Sequence, residues 1–192
     1  MKKILIGTHN QGKFREISYL LSKKIKKISP QSLGLKSPKE TGKTFQANAR
    51  LKANFFSKFT NFPVISDDSG LCIESLGEKP GIYSARWAKK YGSFNKAMQF
   101  ILNRLKGKKN RSATFVCSLS LKYPKRKIIT FTGRIKGKIS NKIIGTRGFG
   151  YDPIFIPNKK SVTFGQMTKL KKIKMDHRHI AFKKMKKKVK IL

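Results

Sequence analysis

The sequence predicts an α/β protein built on a mixed β-sheet, and three observations lead there. A short apolar run, residues 2–6, enters a polar loop and then a segment with Phe14, Ile17, Leu20 and Leu21 at helical spacing. Strand-like runs dominate the middle of the chain. A helical segment, residues 177–188, closes it. The 192 residues favour one domain, 1–192, able to bury a core unaided and to form two lobes around a cleft.

Taken in order, residues 2–6 read as a strand and 7–12 as a loop. Residues 13–21 form a helix and 25–29 a second strand. Pro, Gly and Ser make 30–43 a loop. Residues 44–58 form a helix, with Phe45, Ala49, Lys52/Ala53 and Phe56 at intervals of three to four. Residues 63–66 read as a short buried strand that ends at Asp67 and Asp68. Ser69-Gly70 then turns the chain into a strand over 71–76. Residues 77–84 are loop and 95–105 an amphipathic helix. The runs 113–122 and 127–133 make an antiparallel hairpin through 123–126, extended by 135–139. The Gly-rich, aromatic stretch 145–157 reads mostly as loop.

Composition sets limits. There are 46 basic residues against 8 acidic ones, a net charge of +38. Such a balance suggests nucleic-acid binding. The lysines, however, are scattered along the whole chain and far outnumber the arginines. Ile, Phe and Asn are also abundant, the bias expected of an AT-rich genome. Compositional drift therefore explains most of the charge, with no specific nucleic-acid partner, although salt-sensitive binding to polyanions follows either way. Cys72 and Cys117 lie far apart in apolar runs and read as buried free thiols. The apolar run after Lys2-Lys3 is too short for a signal peptide or a membrane span, so the expectation is a soluble, cytoplasmic protein with no membrane partner.

Four segments carry candidate chemistry. Gly7-Thr8-His9-Asn10-Gln11-Gly12-Lys13 lies between a strand and a helix and fits G-x-x-x-x-G-K. Phe14 stands where a P-loop needs Ser or Thr for magnesium, so a true P-loop is disfavoured. A phosphate cradle of helix-start amides plus Lys13 remains, as does an ordinary strand-to-helix turn. In Val64–Leu71, two of only eight carboxylates stand side by side in an apolar setting. Burying like charges together is costly without a cation or strong donors. A hard cation such as Mg²⁺ uses such oxygens together with substrate phosphates, and a carboxylate beside it can take a proton from water. A simple Asp-Ser-Gly turn is the alternative. Phe149-Gly150-Tyr151-Asp152 joins glycine and aromatic faces suited to a base with one acid, or packs as a rigid loop. His177-Arg178, with Lys172 shortly before, offers donors for a base carbonyl or a phosphate, or simply begins a solvated helix.

Together the segments are far more specific. THNQGKFREI, ETGKTFQANARLKA, ISDDSGL, PGIYSARWA, RGFGYDPIF and DHRHIAFKKM occur in that order over nearly the whole chain. This series resembles the Ham1-like nucleoside-triphosphate pyrophosphatases, also called inosine triphosphatases. The resemblance implies a two-lobed fold around a long twisted mixed sheet with flanking helices and the active site in the inter-lobe cleft. It implies a Mg²⁺-dependent homodimer that hydrolyses the purine nucleoside triphosphates ITP, dITP and XTP to monophosphate and pyrophosphate, cleansing the nucleotide pool.

By the same resemblance, Thr8, His9, Asn10, Gln11, Gly12 and Lys13 hold the triphosphate. Asp68 is proton acceptor and metal ligand, supported by Asp67, and Ser69 touches substrate. Phe149, Gly150, Tyr151 and Asp152 lie at the base and ribose. Lys172, His177 and Arg178 contact the nucleotide near the base. The chain departs from the family pattern at Ala47, where an acid is usual, leaving Glu40 as the second metal carboxylate. It also departs at Arg147, Lys171 and Asp176. The expected reaction is attack of water at the α-phosphorus. A 6-oxo group on the base would meet the donors of His177 and Arg178, whereas a 6-amino group would leave them unpaired.

Overall fold

A computed structural model describes residues 2–189. β1 (Lys3–Ile6) buries its last three residues and ends in the loop that leads to α1 (Gln11–Leu20). Helix α1 starts two residues earlier than the apolar spacing predicts. The cause is Asn10, whose side chain caps the helix by accepting from the Lys13 amide at 3.0 Å. β2 (Lys26–Ile28) returns parallel to β1. α2 (Phe45–Ser57) begins at Thr44, which accepts from the Ala47 amide at 3.0 Å.

β3 (Val64–Ile73) overturns one expectation. It is a single ten-residue strand and does not break at Asp67–Gly70. Nine of its residues are buried, and burial prevails over the turn preference of Asp, Ser and Gly. Gly70 is required there because a Cβ would stand 2.2 Å from the Gly81 carbonyl oxygen. β4 (Lys79–Pro80) pairs antiparallel with the end of β3, after a short 3-10 turn at Glu74–Leu76 where strand was expected.

α3 (Ser84–Lys90) was not foreseen, being too short to show a period. α4 (Phe94–Arg104) follows, capped by Ser93. β5 (Ser112–Lys122) and β6 (Ile129–Ile139) match the expected hairpin, but β6 is one strand, not two pieces. β7 (Phe155–Pro157) and α5 (Lys169–Ile173) are further short elements, and α6 (His177–Lys188) is the last helix. The seven strands form one mixed sheet in the order β2-β1-β3-β5-β6-β7, with β4 on β3. Among the described residues, no helix is long and apolar enough to cross a membrane.

The chain divides into two compact units. The first comprises Met1–Asp68, Cys117–Gly133 and Arg178–Leu192; the second comprises Ser69–Val116 and Arg134–His177. In the first, Ile4, Ile6 and Ile65 of the parallel strands pack with Ile17, Leu119 and Phe182. Ser118 and Ser120 bond Thr132 and Thr130 across the hairpin at 2.8 Å each. In the second, Phe115, Phe155 and Phe164 pack with Leu71, Ile101 and Ile154. The division falls between Asp68 and Ser69 and again between His177 and Arg178, within two of the segments that carry candidate chemistry.

Candidate active site

The first unit assembles most of the predicted residues. Ile6 of β1 is in register with Ile65 of β3, and the Gly7 amide donates to the Ile65 carbonyl at 2.8 Å. The loop 7–10 therefore leaves β1 abreast of Ser66 and Asp67. It is shaped from within: Thr8 Oγ1 accepts from the Asn10 amide at 3.2 Å. The His9 ring lies 2.9 Å from the Leu35 carbonyl and 2.5 Å from Ser37 Oγ, which ties down a segment otherwise read as loop. Gln11 and Gly12 form the first turn of α1, where helix amides favour anions.

The two adjacent carboxylates alternate across the strand and meet different partners. Asp67 is fully buried. Its Oδ2 lies 3.2 Å from Lys13 Nζ and 3.3 Å from Arg178 Nη2. Burial alone would push its carboxyl up, but the charges of Lys13, Arg178 and Lys52 outweigh it and hold the group well below the usual carboxylate range. Asp68 is only 3 % exposed, and here burial wins. Its carboxyl is raised above its ordinary value. Burial is the main cause and the charge of Glu40 adds to it, against the opposing charges of Lys13 and Lys52 and a 3.0 Å hydrogen bond from Asn48 Nδ2. Two neighbours in sequence are thus pushed apart in acidity, the pattern of one fixed anion beside one proton acceptor.

Three residues that sequence reasoning did not single out complete this cluster. Asn48 and Lys52 stand one turn apart on the buried face of α2. Asn48 Oδ1 accepts from the Gly42 amide at 2.8 Å while its amide donates to Asp68. Lys52 Nζ bonds Glu40 Oε1 at 2.6 Å. Burial lowers the Lys52 ammonium, but Asp67, Glu40 and Asp68 together raise it above its ordinary value. Glu16 on α1 pairs with Arg178 through Nη1. Arg178 was expected at the base of the nucleotide; it is buried, with Nη1 and Nη2 each already bonded to a carboxylate. The usable signal was scarcity, since Glu16 is one of only eight acids set against 46 basic residues.

The second unit holds the remaining predictions. Asp152 is buried, and its Oδ2 accepts from Lys172 Nζ at 2.6 Å and from the Phe149 amide at 2.9 Å. That bond closes the loop tightly: Gly148 has φ +79°, and a Cβ there would fall 2.1 Å from Asp152 Oδ2. Lys172 Nζ also lies 4.7 Å from the Phe149 ring centroid, a cation–π distance. Tyr151 is buried and donates its hydroxyl to the Ser84 carbonyl at 2.9 Å. Gly150 has φ +67°, and Ser69 opens the second half of β3. The His177 ring stacks on Phe115 at 4.8 Å, nearly parallel. Among the described residues no group of three or more His, Cys, Asp or Glu side chains could by itself hold a metal ion.

A buried, polarised carboxylate pair beside a helix-start loop suits hydrolysis of a phosphoanhydride. The Ham1 family pattern matches residues 4–188. The chain belongs to the Ham1 family. Its relatives include the dITP/XTP pyrophosphatase of Zymomonas mobilis, 41 % identical over 187 residues, covering 95 % of this chain and 90 % of that one. The dITP/XTP pyrophosphatase of Bacillus subtilis is 39 % identical over 193 residues, covering 97 % and 96 %. Among solved structures, the Ham1 protein of Staphylococcus aureus superposes with a TM-score of 0.87 at 35 % identity and covers 98 % of both chains. Beyond the residues that the sequence pattern singles out, Glu16, Asn48 and Lys52 join the cluster around Asp67 and Asp68.

Proposed function

We propose that this chain hydrolyses the purine nucleoside triphosphates ITP, dITP and XTP to the monophosphate and pyrophosphate, and so clears them from the nucleotide pool. The observation that carries the reading is the unequal pairing of two buried, adjacent carboxylates, Asp67 ion-paired to Lys13 and Arg178 and Asp68 hydrogen-bonded by Asn48, on a chain whose relatives are named dITP/XTP pyrophosphatases. Asp68 takes the proton of the water that attacks the α-phosphorus. Its weakened acidity suits a proton acceptor, whereas the strongly held charge of Asp67 does not. Asp67 keeps Lys13 and Arg178 in place. Lys13, with the amides at the start of α1, stabilises charge on the departing pyrophosphate. Thr8 and Asn10 hold that loop in shape, and His9, Gln11 and Gly12 line it. In the second unit, Phe149, Gly150, Tyr151 and Asp152 receive the base and ribose, with Ser69 as a further contact. Lys172 and His177 supply donors to the base. Arg178 contributes mainly as the counter-charge of Asp67.

The reading includes Mg²⁺. The donor set fits it: Asp68 and Glu40 are hard oxygen ligands whose charges repel each other, and a cation relieves that repulsion. With only two such carboxylates, substrate phosphates and water complete its shell. When bound, the ion supplies charge neutralisation and a more acidic water. Glu40 is held by Lys52 at 2.6 Å, so that pair must loosen when Glu40 serves as a ligand. The same reading makes the protein a cytoplasmic homodimer forming one functional domain over 1–192.

The test is pyrophosphate release from ITP, XTP, GTP and ATP with and without Mg²⁺. Release of pyrophosphate from ITP and XTP, strongly favoured over ATP and dependent on the metal, is expected. Equal rates on ATP and ITP, or orthophosphate as product, would overturn the assignment. Sedimentation checks the dimer.

A further inference from the structure

Two adjoining pockets of the second unit lie outside the catalytic cluster. One, of about 790 Å³, lies between the end of α4 and residues 141–143. The other, of about 630 Å³, lies between α4, α3 and the turn after β3. They share Asn103 and Lys108 and so flank the last turn of α4 from two sides. Both volumes fall within the range of ligand sites.

Their chemistry is one-sided. Lys79, Arg104, Lys106, Lys108, Lys109 and Lys142 line them, and among the described residues no carboxylate does. None of the six makes a salt bridge among the described residues. The nearest acid by bonding is Glu74, which accepts from Asn110 at 3.2 Å and lies outside the lining. Arg111 belongs to the scaffold. Its Nε, Nη1 and Nη2 donate to the carbonyls of Ile139, Leu105 and Ser140 at 2.8, 3.1 and 2.6 Å. The lysine-bearing turn 106–109 is thereby pinned to the end of β6. Between the cations stand two half-buried rings, Trp87 and Phe100, in edge contact at 5.5 Å.

A pinned row of ammonium groups tracks phosphates, and aromatic rings set among them accept bases of any sequence. We infer that these paired pockets bind single-stranded nucleic acid without sequence preference. A strand crossing the end of α4 places successive phosphates on the 106–109 turn. The pool-cleansing enzyme is then held near the polymers that consume its nucleotides. The +38 charge thus acquires a localised component beyond general drift.

The chain has one tryptophan, and it lines the groove. Titrating the full chain with a fluorescein-labelled dT₁₂ oligonucleotide gives anisotropy, and titrating with unlabelled dT₁₂ gives quenching of Trp87. The two curves should yield the same Kd. The quadruple variant Lys106→Gln, Lys108→Gln, Lys109→Gln, Lys142→Gln should weaken binding at least tenfold and flatten the salt dependence, by about 0.7 in log–log slope for each lost phosphate contact. A control variant removes four exposed lysines of the first unit: Lys23→Gln, Lys24→Gln, Lys26→Gln, Lys183→Gln. It should change affinity less than threefold. All eight substituted positions are exposed, and pyrophosphate release from XTP verifies folding of both proteins. Equal losses in the two variants reduce the effect to bulk charge and overturn the inference. So does binding without Trp87 quenching. A shift from dimer to monomer in the groove variant alone would make this face an interface between copies, and would overturn it as well.

Discussion

The two clusters are each built on a buried acid held by a buried base, yet they are prepared for different work. In the first unit the Asp67 carboxylate is matched by two cations, and a second acid, Asp68, is left beside it with its acidity weakened. In the second unit the acid is matched one to one. Asp152 bonds Lys172 and the Phe149 amide through a single oxygen, and no second carboxylate adjoins it in sequence. The difference teaches where chemistry can occur. A fully compensated acid fixes shape, as Asp152 does for its loop. A partly compensated one is suited to exchange a proton, the part proposed for Asp68.

The sharpest way to break this contrast is to neutralise each aspartate of the pair in turn. On the proposed mechanism Asp68→Asn removes the proton acceptor and should lower kcat by about 10²–10⁴-fold. Its melting temperature should hold or rise, because a carboxyl raised by burial is one whose charge the fold disfavours. Asp67→Asn should behave in the opposite manner. It leaves the buried Arg178 and the half-buried Lys13 without their shared anion, and unfolding in urea should show a loss of about 3–5 kcal/mol. The pH dependence has a definite sign. A carboxyl held below its ordinary value stabilises the fold above that value, 3.8, and the contribution is lost as pH falls through the folded value. Asp67→Asn should therefore flatten the acid limb of the stability curve. If Asp67→Asn is as stable as the parent and Asp68→Asn is not, the roles are reversed.

A smaller effect sharpens the other half of the contrast. Phe149→Ala removes the ring against Lys172 without touching either acid. A lost base-stacking face is worth about 1–3 kcal/mol, so KM for ITP should rise roughly tenfold or more while kcat changes little. A fall in kcat at constant KM would place Phe149 in the chemistry rather than in binding.

What the sequence disclosed follows the same division. Local features were legible: the strand-loop-helix start, the face of α2, and the adjacent acids in a chain that has few. Long-range compensation was not. Glu16 meets Arg178 across 162 positions, and nothing local to either announces it. Lys52 occupies a core position by period, but its reason for being there is Glu40, twelve residues back in a loop. β3 departs from the expected turn because Asp67–Gly70 is turn-forming in isolation and becomes strand only when its neighbours bury it. α3 and α5, of seven and five residues, are too short to display a helical period.

The smallest expected effect probes β3 beyond the acids. Cys72 lies four residues past Asp68, and burial pushes its thiol up to about 11 from an ordinary 9.0, with the neighbouring Glu78 adding to the shift. Only the thiolate reacts with iodoacetamide. At pH 8 the shift of roughly two units leaves about one hundredth of the thiolate an ordinary cysteine would have. Labelling of Cys72, followed by peptide mass spectrometry, should be slow at pH 8 and still rising at pH 10. The sign for stability is the reverse of that for Asp67. A thiol raised in the fold stabilises it fully below pH 9, and that contribution is lost as pH climbs towards 11. A plateau in labelling near pH 9 would mean that this half of β3 opens readily to water. The strand would then be rigid only where Asp67 and its two cations hold it.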